Sequence, residues 1–250
     1  MIIAKPKRQF PQSPQLTRNL FFRDPNHPAY RPRRKPVTIG IGFAHDEGLL
    51  LCADTKVSGP TKDHQSKLAQ FVSNNGYFRI VFAMSGEDLN FPKAAVDQCW
   101  EYIRGMDFAT VPMEAVQYAV NESLSKFHRK HIYKHPDRMP GSPYLQFLVG
   151  MWLRDKTKLY LSHETVLNPI DQFECIGSGA YLAKFLVQQY MAANGSPTNL
   201  IDVNLIAKLA VTITSTYDQN CEGPEEILVL RNDGTIEGPK SIRNDRECEF

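Results

Sequence analysis

A chain of 250 residues with 42% hydrophobic content holds enough apolar mass for one large core. No uninterrupted apolar run reaches the roughly 18 residues that span a bilayer, and the first residues lack the apolar centre of a signal peptide. These features lead us to expect a soluble, cytoplasmic protein, whose net charge of +2 is unevenly spread.

Residues 1 to 36 carry nine Lys or Arg against Asp24 alone, a local charge of +8 that leaves −6 on the remainder, together with seven of the seventeen prolines. Proline breaks helices and central strands, and core-sized side chains are few here, so the segment reads as an extended, poorly ordered basic arm. Three roles stay open for it: a solvated tail, a propeptide, or a tether whose positive field meets an acidic partner or nucleic acid. Phe10, Phe21, Phe22 and Tyr30 form no stacking platform, so nucleic acid is not the expected partner. Cys52, Cys99, Cys175, Cys221 and Cys248 show no CxxC pairing, which fits a reducing compartment better than a disulfide framework.

From Thr38 to Asp54 the pattern is a hairpin: apolar runs Ile39 to Phe43 and Leu49 to Ala53 flank His45-Asp46-Glu47-Gly48. A polar loop with Gly59-Pro60 follows. Leu68 to Val72 and Tyr77 to Met84 read as two further strands around Asn74-Asn75-Gly76. Ser85-Gly86-Glu87-Asp88 has capping-box spacing and is expected to open a helix whose core face is Val96, Trp100 and Ile103. Pro112 suits the first turn of a second helix, with Val116, Val120, Leu124 and Phe127 along one side. That helix is expected to run to His135 and stop at Pro136. His128, His131 and His135 share a spacing used by metal ligands, but Lys126, Arg129, Lys130, Lys134 and Arg138 surround them, so a basic, solvated helix end is the better reading. The nearly unbroken apolar run from Tyr144 to Leu153 predicts a strand covered on both faces. Lys158 to Ser162 and Phe173 to Ile176 are further strands. Ala183, Leu186, Val187, Tyr190 and Met191 give one helical stripe and Ile206, Leu209, Ala210 and Ile213 another, before a closing strand at Ile227 to Leu230 and an Asp233-Gly234 turn. This order is α+β, with two sheets and four helices.

A threonine opening a strand, a Gly-containing turn, and Ala53-Asp54-Thr55 with the aspartate sixteen residues after that threonine resemble the start of a mature proteasome β-type subunit, and of the bacterial proteasome-like ring peptidases. Lys67 before Leu68, Ser85-Gly86 at a strand-to-helix junction, Gly177-Ser178-Gly179, and Asp218-Gln219-Asn220-Cys221-Glu222-Gly223 continue the resemblance in order. It implies the four-layer αββα sandwich of the N-terminal-nucleophile hydrolases over residues 38 to 240, with a Pro-rich extension at 1 to 37 as a candidate propeptide and a tail at 241 to 250.

The resemblance also implies roles. Thr38 would be the nucleophile, its own α-amine the general base, because such an amine titrates near 7.7 to 8.0 whereas a lysine near 10.4 stays protonated. Lys67 would depress nearby pKa values while Asp54 holds the lysine oriented. A backbone N–H at Gly86, or the equivalent place at Ser85, would stabilise the oxyanion by about 3 kcal/mol. Ser178 and Asp218 would hydrogen-bond the threonine. Cys221 stands where the family has serine, and a thiol is a weak donor. Glu222 stands in place of the first glycine of the pair. The family cuts after glycine, whereas Val37 precedes Thr38 here, and an embedded threonine has no free amine. No metal or cofactor is implied.

Three functions remain open at this point. The first is a threonine-type peptidase that clears its arm autocatalytically and acts on peptides or unfolded protein inside a homo-oligomeric ring, with an ATP-dependent unfoldase as a candidate partner. The second is an unprocessed, non-catalytic assembly subunit, which Val37 and Cys221 favour. The third is an inert domain tethered through the basic arm.

Overall fold

A computed structural model of the protein describes residues 38–56, 64–86, 89–132, 145–218, 221 and 223–239. The basic arm, Val37, the capping-box acids Glu87 and Asp88, His135, Pro136, and the tail from 241 to 250 lie outside the described residues.

Two apolar runs build the opening hairpin: β1 (Ile39–His45) and β2 (Gly48–Asp54) pair antiparallel, with Gly40 opposite Ala53. Lys67 leads into β3 (Leu68–Val72), which pairs with β4 (Phe78–Ser85). The helices α1 (Asn90–Ile103) and α2 (Met113–His131) follow. Then come β5 (Gln146–Leu153), β6 (Lys156–His163), β7 (Val166–Ile170) and β8 (Phe173–Gly177). The chain continues through α3 (Ala180–Asn194), α4 (Leu200–Tyr217), β9 (Glu225–Arg231) and β10 (Ile236–Glu237). Two five-stranded antiparallel sheets result, in the orders β10-β9-β2-β1-β8 and β3-β4-β5-β6-β7.

The inner strands alternate between two apolar environments. On β4, Phe78, Ile80, Phe82 and Met84 join Trp100, Ile103, Val116, Val120 and Phe127 of α1 and α2 in one cluster. The alternate residues Val81 and Ala83 join Leu49, Leu51, Leu148 and Leu228 in a second cluster, drawn from strands of both sheets. Ile39, Ile41, Leu50 and Cys52 pack with Ala183, Val187, Val203, Ala207 and Ala210 of α3 and α4 in a third. A strand buried on both faces has no polar side, which is why β2 and β5 read as continuous apolar runs.

Several local expectations are corrected. Ser85 is the last residue of β4, and α1 starts at Asn90 after Leu89 with no side-chain cap, so the capping-box reading fails. Pro112 precedes the first turn of α2, with extended backbone at φ −78° and ψ 159°. The helix ends at His131, and His128 is buried rather than solvated. The strand β7 escapes a propensity reading because Pro169 interrupts it; proline is tolerated there because β7 is the edge of its sheet. In α4 the buried stripe is Val203, Ile206, Ala207, Ala210, Val211 and Thr214, so Leu209, expected in the core, faces out.

The fold class is corrected as well. In place of the four-layer αββα sandwich of the N-terminal-nucleophile hydrolases stand two antiparallel sheets plus four helices. Hydrophobic period reports which faces are apolar and so yields sheets and helices; it carries nothing about a class of layering, which came from the family resemblance alone.

Candidate functional site

The sheet β10-β9-β2-β1-β8 brings four chain segments to one end. Thr38 lies immediately before β1 and is 2% exposed. Asp54 closes β2, and antiparallel pairing carries it back beside the start of β1, where the Ile39 N–H donates to its Oδ1 at 2.9 Å. The β8 strand pairs on the other side of β1, with Ile39 opposite Gly177, so the residues just past β8 arrive at the Thr38 carbonyl. Asp218 caps α4, its N–H donating to the Thr214 carbonyl at 2.8 Å, and Cys221 follows. Lys67 comes from the other sheet, immediately ahead of β3.

Two polar pairs result. Lys67 Nζ donates to Asp54 Oδ1 at 2.8 Å, and both side chains are buried. Burial pushes the lysine below its ordinary value of 10.5, against the pull of the Asp54 carboxylate, which favours the charged form. The second pair is Ser178 with Asp218: the hydroxyl donates to Oδ2 at 2.7 Å and lies 3.5 Å from the Thr38 carbonyl oxygen. The Gly179 N–H reaches that same oxygen at 3.4 Å. Cys221 completes this cluster, its sulfur 3.8 Å from Ser178 Oγ and 3.6 Å from Asp218 Oδ2. Burial, and then the charges of Asp54 and Asp218, push its thiol up to about 12, so it stays protonated at neutral pH.

The glycines around Ser178 are required by contact. Gly177 holds φ +94°, and a Cβ there would stand 2.0 Å from the Thr38 carbonyl oxygen. A Cβ at Gly179 would stand 2.5 Å from Thr214 Cγ2 and 3.2 Å from the Cys221 sulfur. The Gly-Ser-Gly tripeptide therefore lets a strand end press directly on the residue before β1.

Of the residues singled out from sequence, Asp54 and Lys67 meet each other beside Ile39, and Ser178, Asp218 and Cys221 meet at the Thr38 carbonyl. Gly86 is not brought into either group. It is buried against Leu145 and Pro92. The adjacent Ser85 comes closer: its hydroxyl is fully buried, has no hydrogen-bond partner among the described residues, and would lie 3.2 Å from a Cβ at Gly177. Two further residues make contacts that the sequence reading did not foresee. Gln146 Oε1 accepts from the Gly177 N–H at 3.4 Å. Thr55, next to Asp54, donates to the Pro224 carbonyl at 3.1 Å and sits 3.3 Å from His64 Nδ1. Both contacts join segments far apart in the chain, which local patterning does not report. Among the described residues no group of three or more His, Cys, Asp or Glu side chains is arranged to hold a metal.

Neither a family model nor a curated protein matches this chain. Solved structures do. A Gly-1 mutant of Anbu from Hyphomicrobium sp. strain MC1 superposes with a TM-score of 0.66 at 17% identity, over 84% of this chain and 89% of that one. The helical assembly of the Anbu complex from Pseudomonas aeruginosa gives 0.66 at 18% identity, over 84% and 88%. Anbu, or ancestral beta-subunit, from Yersinia bercovieri gives 0.64 at 12%, over 80% and 86%. At such identities the likeness is one of fold. It corrects the recognition of the chain as a proteasome β-type subunit and the N-terminal-nucleophile sandwich that came with it, because these neighbours are Anbu proteins, proteasome-like yet distinct.

Proposed function

We propose that this protein is a threonine-type peptidase of the Anbu-like kind, with Thr38 as its nucleophile once the bond after Val37 is cut, and that it works as an assembly of identical copies. The observation that carries the reading is the buried Lys67–Asp54 pair at 2.8 Å, set beside the start of β1. Burying two charges is expensive, and a hydrophobic pair of similar volume is often more stable, so a role in chemistry accounts for its presence better than stability does.

In the exposing step the Thr38 hydroxyl oxygen attacks the Val37 carbonyl carbon. The C–N bond breaks, an ester forms, and the hydroxyl proton passes to the departing nitrogen, which becomes the α-amine. Water then hydrolyses the ester and releases the arm. In each later turnover the amine takes the hydroxyl proton as the oxygen attacks a substrate carbonyl and delivers it to the leaving amine; water cleaves the acyl-enzyme. Lys67 lowers the pKa of the amine through its charge, and Asp54 holds Lys67 in place. Ser178, fixed by Asp218, orients the threonine backbone. The assembly half of the reading is supported by the neighbour solved as a helical assembly. Intact-mass measurement tests the peptidase: the purified protein should lose residues 1 to 37 while Thr38→Ala retains them. Full-length chain in both would overturn it.

A second reading, a non-catalytic assembly subunit, is favoured by one observation. Cys221 is a protonated thiol beside Asp218 where a hydroxyl would donate more strongly. It predicts no labelling by a threonine-directed electrophile.

A further inference from the structure

A cavity of about 180 Å³ opens at the end of β1 away from Thr38, where the β1–β2 turn, the β7–β8 turn and the α3–α4 connection meet. Backbone hydrogen bonds hold its walls together: the Ala44 N–H donates to the Gln172 carbonyl at 2.7 Å, and the Asp46 N–H to the Thr198 carbonyl at 2.9 Å. The cavity is therefore formed before any ligand arrives. Phe173, Met191 and Pro197 supply an apolar lining, and His45, Asp46 and Asp171 a polar one. The Phe173 ring is stacked on buried Phe43, with centroids 5.6 Å apart, which fixes its orientation. Sites for drug-sized ligands begin at roughly 300 Å³, so this one has room for a single side chain rather than a cofactor.

The lining carries an unbalanced charge. Asp46 and Asp171 are exposed, and neither carboxylate is in an ion pair among the described residues. The cations on adjoining elements are engaged elsewhere, Arg231 by Glu47 and Glu237, and Lys184 by Glu174. His45 adds no charge at neutral pH: burial, helped by Arg231, holds its ring below the ordinary 6.5 against the pull of Glu47 and Asp46. Its Nδ1 accepts from the Glu47 N–H at 3.2 Å, which puts the ring proton on Nε2, and that atom is buried with no hydrogen-bond partner among the described residues. An unmet buried donor is costly, so an acceptor belongs beside it. The fitting occupant thus brings a cation for the two carboxylates, hydrocarbon for Met191 and Pro197, and an acceptor for His45. A bare metal ion would leave the apolar lining and the Nε2–H unused. A basic residue within a polypeptide has all three parts, and its cation gains further from the face of the Phe173 ring. We infer that this cavity binds the side chain of a lysine or arginine residue of another polypeptide. The strand β1 is 7 residues long, which sets the cavity roughly 20 Å from Thr38, and the inference does not depend on the peptidase chemistry.

The test uses the full chain with its methionine methyl groups isotopically labelled for magnetic resonance. The probe is N-acetyl-arginine methylamide, and the comparison is N-acetyl-citrulline methylamide, which has the same shape without the charge. The arginine probe should move the Met191 methyl signal saturably and leave that of the fully buried Met151 in place. The citrulline probe should bind at least about tenfold more weakly, since it loses both carboxylate contacts and the attraction to the ring. Asp46→Asn and Asp171→Asn should each weaken arginine binding about two- to fivefold, the range for a partly exposed ion pair, and the double variant more than either. Glu101→Gln, which removes an exposed carboxylate of α1, should change nothing. Equal affinity for the two probes, or a Met191 signal that stays still, overturns the inference. So does an equal loss from Glu101→Gln, which would reduce the effect to the charge of the whole surface. Circular dichroism verifies folding; should the double variant unfold, the two single variants decide by the same criterion.

Discussion

The two halves of this molecule use the same plan, a pair of helices laid on a five-stranded sheet, and fill it in opposite ways. Under α1 and α2 the large side chains are inside: Trp100, Phe108, Leu124 and Phe127 join Phe78, Phe82 and Phe147. Outside are Glu101, Arg104, Lys126 and Arg129, and the exposed Tyr102 is covered by the Lys126 ammonium, 4.2 Å from its ring centroid. Under α3 and α4 the helices bury mainly small residues, Ala183, Val187, Val203, Ala207 and Ala210 with Ile206, and several large ones stand outside. The second half also carries Thr38, Asp54, Ser178, Asp218 and Cys221, whereas the first contributes Lys67 to the candidate site. One half holds the aromatic mass; the other holds most of the candidate site and an exposed apolar face.

That contrast is broken most directly from the aromatic side. Phe127→Ala should lower unfolding free energy by about 4 kcal/mol, because a fully packed ring leaves a cavity that its neighbours cannot fill. Leu209→Ala, on α4, should cost well under about 1 kcal/mol, since the side chain is already half in water. Chemical denaturation of both variants measures the difference. Equal losses would mean that α4 is as tightly covered as α2.

Lys67→Met crosses the two halves and comes next. It leaves Asp54 buried without its cation, a loss of about 3 kcal/mol, and removes the charge proposed to tune the amine, so peptide hydrolysis should fall by at least about a hundredfold. A second substitution, Asp54→Leu, should recover stability without recovering activity. Stability against pH separates the charge from the packing. Lys67 has a folded-state pKa below 10.5, so between that pKa and 10.5 the unfolded chain binds more protons than the folded one. Wild type should therefore gain stability relative to Lys67→Met as pH climbs through that alkaline window, and the difference should level off above it. A difference that is flat with pH would show that the lysine is held at its ordinary value.

These residues also show what the sequence can carry. The hairpin, and with it the arrival of Asp54 at Ile39 beside Thr38, was legible because two apolar runs around a turn set antiparallel register, and register alone returns the end of β2 to the start of β1. Gly177-Ser178-Gly179 and Asp218 were legible only through family resemblance, since no period marks them. That same resemblance supplied a proteasome β-type label which the Anbu neighbours correct. Leu209 was misplaced for a physical reason: on α4 both faces are apolar, and a 3.6-residue period cannot say which of two apolar stripes meets the sheet. Ser85 was misread because a Ser-x-x-acid pattern marks a helix start only when the chain has already left its strand.

Gly177→Ala should cost about 2 kcal/mol, since it forces a Cβ into a left-handed backbone position and onto the Thr38 carbonyl. Its effect on processing should exceed its effect on stability, because relief of the clash must move β8 away from β1 and carry Ser178 with it. Thermal unfolding and intact mass on one preparation compare the two. A variant that is destabilised yet fully processed would remove Ser178 from the proposed chemistry.

The smallest expected effect is the sharpest test of the half that carries most of the candidate site. In Cys221→Ser the hydroxyl replaces a thiol pushed up to about 12, which lies 3.6 Å from Asp218 Oδ2 and 3.8 Å from Ser178 Oγ. The thiol is a weak donor, and the serine is a strong one that can turn toward the same carboxylate. If Asp218 and Ser178 are held by this network for catalysis, one added hydrogen bond of about 1 kcal/mol should raise kcat/KM about three- to tenfold and leave the unfolding midpoint nearly unchanged. The sulfur also fills space, standing 3.2 Å from where a Gly179 Cβ would be. A serine leaves part of that space empty, so a variant that loses stability without gaining rate would identify Cys221 as packing beneath the Gly-Ser-Gly turn, and would shift the balance toward the assembly subunit.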